Sequence, residues 1–222
     1  MPTHQAARPS RIAAGALTVA AAVYWFPIRR WFRSWGTTPD DVARAMPGDA
    51  LIADPTQTET TAVTINAPPG DIWPWLVQIG YQRGGLYSYD WLDRLFRFLD
   101  RPSTTRILPE FQQLAAGDKI YFGRQELTVA VLEPPRALAL SYHGYGMEWV
   151  WQFGLYPIDD RRTRLVTRST ERTARTPLSW LVMQTMDPAA FVMTRRMLLN
   201  LKDRAETMQA ESTGERIGAP PA

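Results

Sequence analysis

The chain has 222 residues, a formal net charge of +3, nine tryptophans, eight tyrosines and no cysteine. The missing cysteine excludes disulfide frameworks and thiolate metal sites. Lys119 and Lys202 are the only lysines, and no basic run occurs beyond the segment 29–33, so nothing points to a nucleic-acid partner.

Residues 12–28 carry no charge, from Ile12 through Ala20-Ala21-Ala22 to Tyr24-Trp25-Phe26-Pro27-Ile28. Seventeen uncharged residues reach the lower edge of the length that crosses ~30 Å of hydrocarbon. The clustering of Tyr24, Trp25, Phe26, Trp31 and Trp35 at one end suits an interfacial aromatic belt. The run is read as a membrane anchor, with 12–33 as anchor and flank after a short tail, 1–11. Two other readings compete: a cleaved signal peptide ending near Ala22, and a helix lying in the headgroup plane. Arg29, Arg30, Arg33 and Arg44 follow the run and only Arg8 and Arg11 precede it. The expectation is a single-pass protein with its C-terminal domain in the cytoplasm.

A lead-in, 34–59, follows. Within it Thr38 caps a short helix whose first position is Pro39. From Thr60 the pattern is a strand, Val63 and Ile65 alternating with Thr64 and Asn66. Ala67-Pro68-Pro69-Gly70 breaks it, and Ile72–Ile79 reads as a short helix ending at Gly80, with Pro74 inside. Arg83-Gly84-Gly85 is a turn. Ser88 is placed as the cap of a second helix burying Tyr89, Leu92, Leu95, Phe96 and Leu99.

Residues 119–171 carry a β signal. Ile120 and Phe122, then Leu127, Val129 and Val131, then Leu138, Leu140 and Tyr142, each mark one strand face. Met147, Trp149, Trp151, Phe153 and Leu155 mark another, and Leu165 to Thr170 the last. Short runs joined by tight turns predict an antiparallel meander. Asp187-Pro188 is read as the start of a helix whose apolar positions include Ala190, Met193, Met197, Leu201 and Ala205. Residues 209–222 read as a disordered tail.

Three stretches carry a family resemblance. Thr64-Ile65-Asn66-Ala67-Pro68-Pro69 with Asp71-Ile72-Trp73-Pro74-Trp75-Leu76 resembles the opening strand and first helix of the SRPBCC superfamily. That group takes in START-like, birch-allergen-like and polyketide cyclase/dehydrase-like proteins. Arg83-Gly84-Gly85-Leu86-Tyr87-Ser88-Tyr89-Asp90-Trp91-Leu92 resembles a segment of actinobacterial-type members. Phe191-Val192-Met193 with Met197-Leu198 is similar to the start of their closing helix. The resemblance implies an α+β helix-grip fold over 60–208, an antiparallel sheet wrapped around a long C-terminal helix. It is compatible with several functions, because the superfamily hosts carriers, cyclases and regulators.

No phosphate loop, dinucleotide fingerprint or nucleophile elbow occurs, and no cofactor or metal is expected. The histidines are His4 and His143, without the ligand spacing of a zinc site. Strand parity puts His143 on the face opposite Leu138, Leu140 and Tyr142, which weakens it as a general base. Asp90, Glu110, Glu148 and Glu171 are candidate acids, each with a surface or helix-end alternative. Arg168 is weighed as a partner for a ligand carboxylate. The strongest feature is the aromatic face of residues 147–155, which is either plain core or the wall of a cavity. Under the cavity reading the ligand-contacting set is Tyr87, Tyr89, Trp91, Tyr142, Met147, Trp149, Trp151, Phe153, Met193 and Met197, with the tyrosine hydroxyls as polar handles. The expected partners are a small hydrophobic ligand (lipid, isoprenoid or polyketide-like) and the membrane. A cyclase or dehydrase using a pocket acid, tyrosine or His143 is the alternative.

Overall fold

The computed structural model describes the backbone of residues 28–218, in which six antiparallel strands form one sheet. The strands are β1 (Gln57–Ile65), β2 (Lys119–Phe122), β3 (Gln125–Glu133), β4 (Ala137–Gly144), β5 (Met147–Asp159) and β6 (Arg162–Thr173). Their spatial order, β1-β6-β5-β4-β3-β2, is a meander from β2 to β6 with β1 added against β6. In that pairing Gln57 lies opposite Glu171 and Ile65 opposite Thr163. The α-helices among the described residues are α1 (Arg29–Arg33), α2 (Pro39–Ala43), α3 (Pro69–Val77), α4 (Asp90–Leu95) and α5 (Pro177–Gly218). The architecture is α+β and helix-grip-like.

Strand parity decides which face of the sheet meets α5. The inner face carries Ile65, Leu138, Leu140, Trp151, Phe153, Leu155 and Leu165. These join Ile72, Trp75 and Leu76 of α3 and Met197, Leu198, Leu201 and Ala205 of α5 in one core cluster. Full burial of a Leu or Met side chain is worth about 1.5–3 kcal/mol, so this seam dominates the attachment of α5. The outer face is covered by the lead-in. Met46 packs on Ala62 and Val166, and Ile52 packs on Ala139 and Val150.

Polar groups lock that cover in place. Arg168, buried on the outer face, donates through Nη1 to Asp49 (2.7 Å), through Nε to Thr60 (3.0 Å) and through Nη2 to the carbonyls of Asp41 and Val42. Gln152 reaches Asp49 (2.7 Å) and accepts from the Gly48 N–H (2.9 Å). Thr38 and Asp41 form a reciprocal capping box on α2, and Arg164 donates to the Asp41 carboxylate at 2.6 Å. Burial works against the ionised form of Asp41, but Arg164 and Thr38 outweigh it and hold its pKa below the usual carboxylate value.

Several elements depart from the sequence reading. β1 starts at Gln57 rather than Thr60, since the Thr56 N–H already bonds the Glu171 carbonyl across to β6 (2.8 Å). α3 starts at Pro69, three residues before Ile72, because a proline suits the first helical position. α4 stops at Leu95, where Arg97 takes a positive φ of 61°. Leu95 and Phe96 are therefore exposed, and the fully buried residue of the helix is Asp93. Ser88 does not cap the backbone of α4; its hydroxyl lies 2.6 Å from Asp93 Oδ2. Asp187 is not a cap either. It lies inside α5, buried, where Arg29 (2.8 Å) and Gln57 (3.1 Å) hold its carboxylate. Residues 209–218 continue α5. The Arg83-Gly84-Gly85 turn is present: Gly85 bridges to Gly80 at φ 91°, and a Cβ there would meet Ser103. The proposed anchor, Ile28 apart, lies outside the described residues. Among those described, no helix is long and apolar enough to cross a membrane.

Candidate functional site

A cavity of about 330 Å³ lies between the inner face of the sheet and the first half of α5, near the lower end of the range for small-molecule sites. Its wall follows from parity: Met147, Trp149 and Trp151 are successive inward residues of β5, and Phe122 ends β2 beside them. Trp149 and Trp151 stack with centroids 5.9 Å apart. Phe122 meets both edge-on (5.5 and 5.9 Å), and Phe98 packs on Phe122 at 4.4 Å. Met186, Met193 and Met197 of α5 close the opposite side. Thioethers on flexible stems adapt to irregular apolar shapes. Trp149 spends its indole N–H on Ser169 Oγ (2.8 Å), which leaves its ring as an apolar surface.

One end of the cavity is acidic. Glu59 of β1 and Glu171 of β6 both face inward, because Glu59 lies opposite Ser169 and Gln57 opposite Glu171. Burial raises both. For Glu171 burial acts first and the charges of Glu59 and Asp187 add to it, against a smaller pull from Arg33, so its pKa is pushed up to about 7. Glu59 is raised by burial and by Asp187, although Arg33 and Gln57 (2.8 Å) favour its ionised form. A carboxyl that is half protonated at neutral pH can donate or accept a proton inside an apolar chamber. Ser88 also lines the cavity. Its partner Asp93 is pushed up to about 6 by burial, against the opposing hydrogen bond from Ser88 and with a smaller push from Asp90.

The structure brings Met147, Trp149, Trp151, Met193 and Met197 together at the cavity wall. It does not place the rest of the expected set there. Tyr87 is fully buried in the core, its Oη donating to the Trp75 carbonyl (3.1 Å) and accepting from Gln78 Nε2 (3.0 Å). Tyr142 and Phe153 are core residues. Tyr89 precedes α4 with the Arg196 guanidinium 5.4 Å from its ring centroid. Trp91 is 64% exposed.

Among the other candidates, His143 is exposed on the outer face, 4.0 Å from Glu148. Glu148 itself pairs with Arg172 (2.6 Å). Asp90 accepts from the Ser103 hydroxyl (2.8 Å) and backbone N–H (3.1 Å). Glu110 is exposed. Arg168 faces away from the cavity, so it is not a ligand-carboxylate partner but the clamp on the lead-in. Glu59, Phe98, Phe122 and Met186 were not in the expected set. Stepping by two from Ile65 back through Val63 and Thr61 reaches Glu59, and stepping forward from Leu165 through Thr167 and Ser169 reaches Glu171. Among the described residues no group of His, Asp or Glu is arranged to hold a metal ion.

No protein-family model matches this sequence, and no curated protein matches it. Solved structures that it partly resembles include the Zhui aromatase/cyclase from Streptomyces sp. R1128 (15% identical, TM-score 0.40, covering 68% of this chain and 93% of that one). Others are CalU16 from Micromonospora echinospora (18%, 0.34, 69% and 86%) and the Aha1 dimer from Colwellia psychrerythraea (18%, 0.37, 68% and 97%). Likeness of this degree carries no argument about function, so the functional reading rests on the cavity.

Proposed function

We propose that the protein binds a compact hydrophobic molecule in the chamber between the sheet and α5. In this reading residues 12–28 tether it to a membrane as a single-pass anchor, with the domain on the cytoplasmic side. The observation that carries the reading is the cavity itself: about 330 Å³ walled by Trp149, Trp151, Phe98, Phe122 and four methionines. Apolar ligand surface leaving water for such a wall gains ~25 cal/mol per Å². Its size suits a single-ring or single-chain compound from the lipid, isoprenoid or polyketide-like range.

Native mass spectrometry of the detergent-extracted full chain should show a retained small molecule. Met193→Trp, which fills the chamber, should lose that adduct while keeping the far-UV spectrum of the parent. Bare chain alone from the wild type, or an unchanged adduct in the variant, overturns the proposal.

Glu171 favours a second reading, an enzyme of cyclase or dehydrase type. A carboxyl pushed up to about 7 beside an apolar ligand is suited to shuttle a proton. In that case Glu171→Gln abolishes conversion of the retained compound without releasing it.

A further inference from the structure

We infer that the end of the domain carrying the cavity mouth docks on the lipid bilayer, so that the ligand enters from the membrane and not from water. This rests on the tether proposed above. The mouth lies between the first half of α5 and the chain after α4, because the solvent-exposed lining residues are Met186, Ala190 and Phe96.

The connection from the anchor to that mouth contains no slack. α1 starts at Arg29, one residue after the uncharged run ends, and spans only about 7 Å at 1.5 Å per residue. It is bound to α5 at two points: Arg29 pairs with the buried Asp187 at 2.8 Å, and the Phe32 ring stacks on Phe191 at 4.4 Å. Asp187 and Phe191 bracket Ala189 and Ala190 of the cavity wall. If residue 28 sits at the membrane interface, the mouth sits within about one helix diameter of it, ~10 Å.

The surface there is built for lipid. Among the described residues thirteen large apolar side chains are exposed. Six of them (Trp31, Trp91, Leu95, Leu181, Met186 and Val192) lie on α1, α4 or the first half of α5, and Ile28 and Phe96 directly adjoin α1 and α4. Trp91 and Leu95 stand four apart on one face of α4, 64% and 68% exposed, with Phe96 following at the rim. Trp31 and Leu181 are more than half exposed on the α1 and α5 side. An apolar concentration of this kind marks an interaction face. From Thr176 to Thr194 the only charged residue is Asp187, and Arg29 neutralises it. Exposed arginines surround the face: Arg30, Arg94, Arg97, Arg195 and Arg196. Apolar residues flanked by cations are the pattern of a segment seated at an anionic headgroup layer.

The absence of cysteine makes the test direct. Single-cysteine forms of the full chain (Leu95→Cys and Val192→Cys on the docking face, Ile158→Cys and Arg161→Cys at the far end of β5) carry an environment-sensitive fluorophore. They are reconstituted into phosphatidylcholine–phosphatidylglycerol vesicles containing a nitroxide lipid. Labels at 95 and 192 should lose emission by quenching, and labels at 158 and 161 should keep it. Two near-face positions guard against a single misfolded variant, and each form is checked for the parent's melting transition. Flotation of the same samples reads the tether separately. Chains that float with the vesicles but are quenched equally at both ends, or at neither, overturn the docking face and leave the tether standing. Chains that do not float overturn both.

Discussion

Replacing Glu171 by glutamine tests the electrostatics of the chamber without changing its shape. The Glu171 carboxyl is raised from an ordinary 4.5 to about 7. Each tenfold change in that proton equilibrium is worth about 1.36 kcal/mol, so ionised Glu171 costs the folded state about 3 kcal/mol. Between pH 4.5 and 7 the folded chain holds a proton that the unfolded chain has released. The contribution of Glu171 to stability is therefore complete below pH 4.5, declines as the pH rises to about 7, and stays lost above it. Glutamine carries no charge at any pH and occupies the same volume. Glu171→Gln should therefore match the wild type at pH 4.5 and exceed it by about 3 kcal/mol at pH 8, which for a domain of this size is a melting temperature about 6–12 °C higher. Thermal melts of both proteins in mild detergent across that range are the assay. Asp93 and Glu59 are also raised and tilt both curves in the same direction; because the Glu59 charge contributes to the Glu171 shift, the difference between the curves reads Glu171 together with its coupling to Glu59. A constant offset between wild type and variant from pH 4.5 to 8 would refute a buried, ionisation-averse Glu171. An apolar ligand that covers the carboxyl further should bind more tightly at pH 6 than at pH 8 in the wild type and equally at both in the variant.

Three further outcomes follow from the geometry. Arg168→Met takes one of several donors from Asp49, which keeps Gln152 and the Met46 N–H, and the Nη2 donor from the carbonyls of Asp41 and Val42; because Asp49 is 35% exposed, the cost falls below that of a fully buried pair, about 2–3 kcal/mol, measurable as a fall in the urea midpoint, and a loss below 1 kcal/mol would mean that water replaces the guanidinium. Thr38→Ala removes half of the capping box on α2 and should cost about 1 kcal/mol, read from the same unfolding curves. His143→Ala removes an exposed outer-face side chain and should stay within about 0.5 kcal/mol of the wild type, with the retained small molecule unchanged by native mass spectrometry.

The sheet was legible in the sequence because alternation over Met147–Leu155 and Leu138–Tyr142 is strong and both faces of those strands are recorded in side-chain type. The terminal helix was legible over its buried half for the same reason, Met197, Leu201 and Ala205 falling on one stripe. α4 was not, because Leu95 and Phe96 read as core by hydrophobicity alone, whereas six residues of helix bury only Asp93 fully and leave Leu95 and Phe96 exposed. At the acidic end of the cavity Glu171 was among the candidate acids, but its partner was missed for a different reason. Glu59 lies where β1 extends beyond its last apolar residue, and strand pairing, set by Thr56 and Gln57 bonding to β6, is a long-range fact that local alternation does not contain. Arg168 likewise became interpretable only when the lead-in was seen lying on the outer face.

The two faces of the sheet divide stability from binding. The outer face is sealed by charge: Arg168 and Arg164 hold α2 and the segment around Asp49 through bonds of 2.6–2.7 Å. The inner face is sealed by apolar contact only along its far half, where α3 and the second half of α5 fill it. At the near half the small residues Ala189 and Ala190 stand opposite Trp149 and Trp151, and the gap between small and large side chains is the cavity. Filling that gap relieves no strain and breaks no polar network, which is why Met193→Trp should change ligand content and spare folding. Arg168→Met should do the reverse, weakening the fold while the population that remains folded keeps its ligand. If both variants instead lose stability and ligand together, the chamber and the cover are one cooperative unit, and the division argued from the two faces fails.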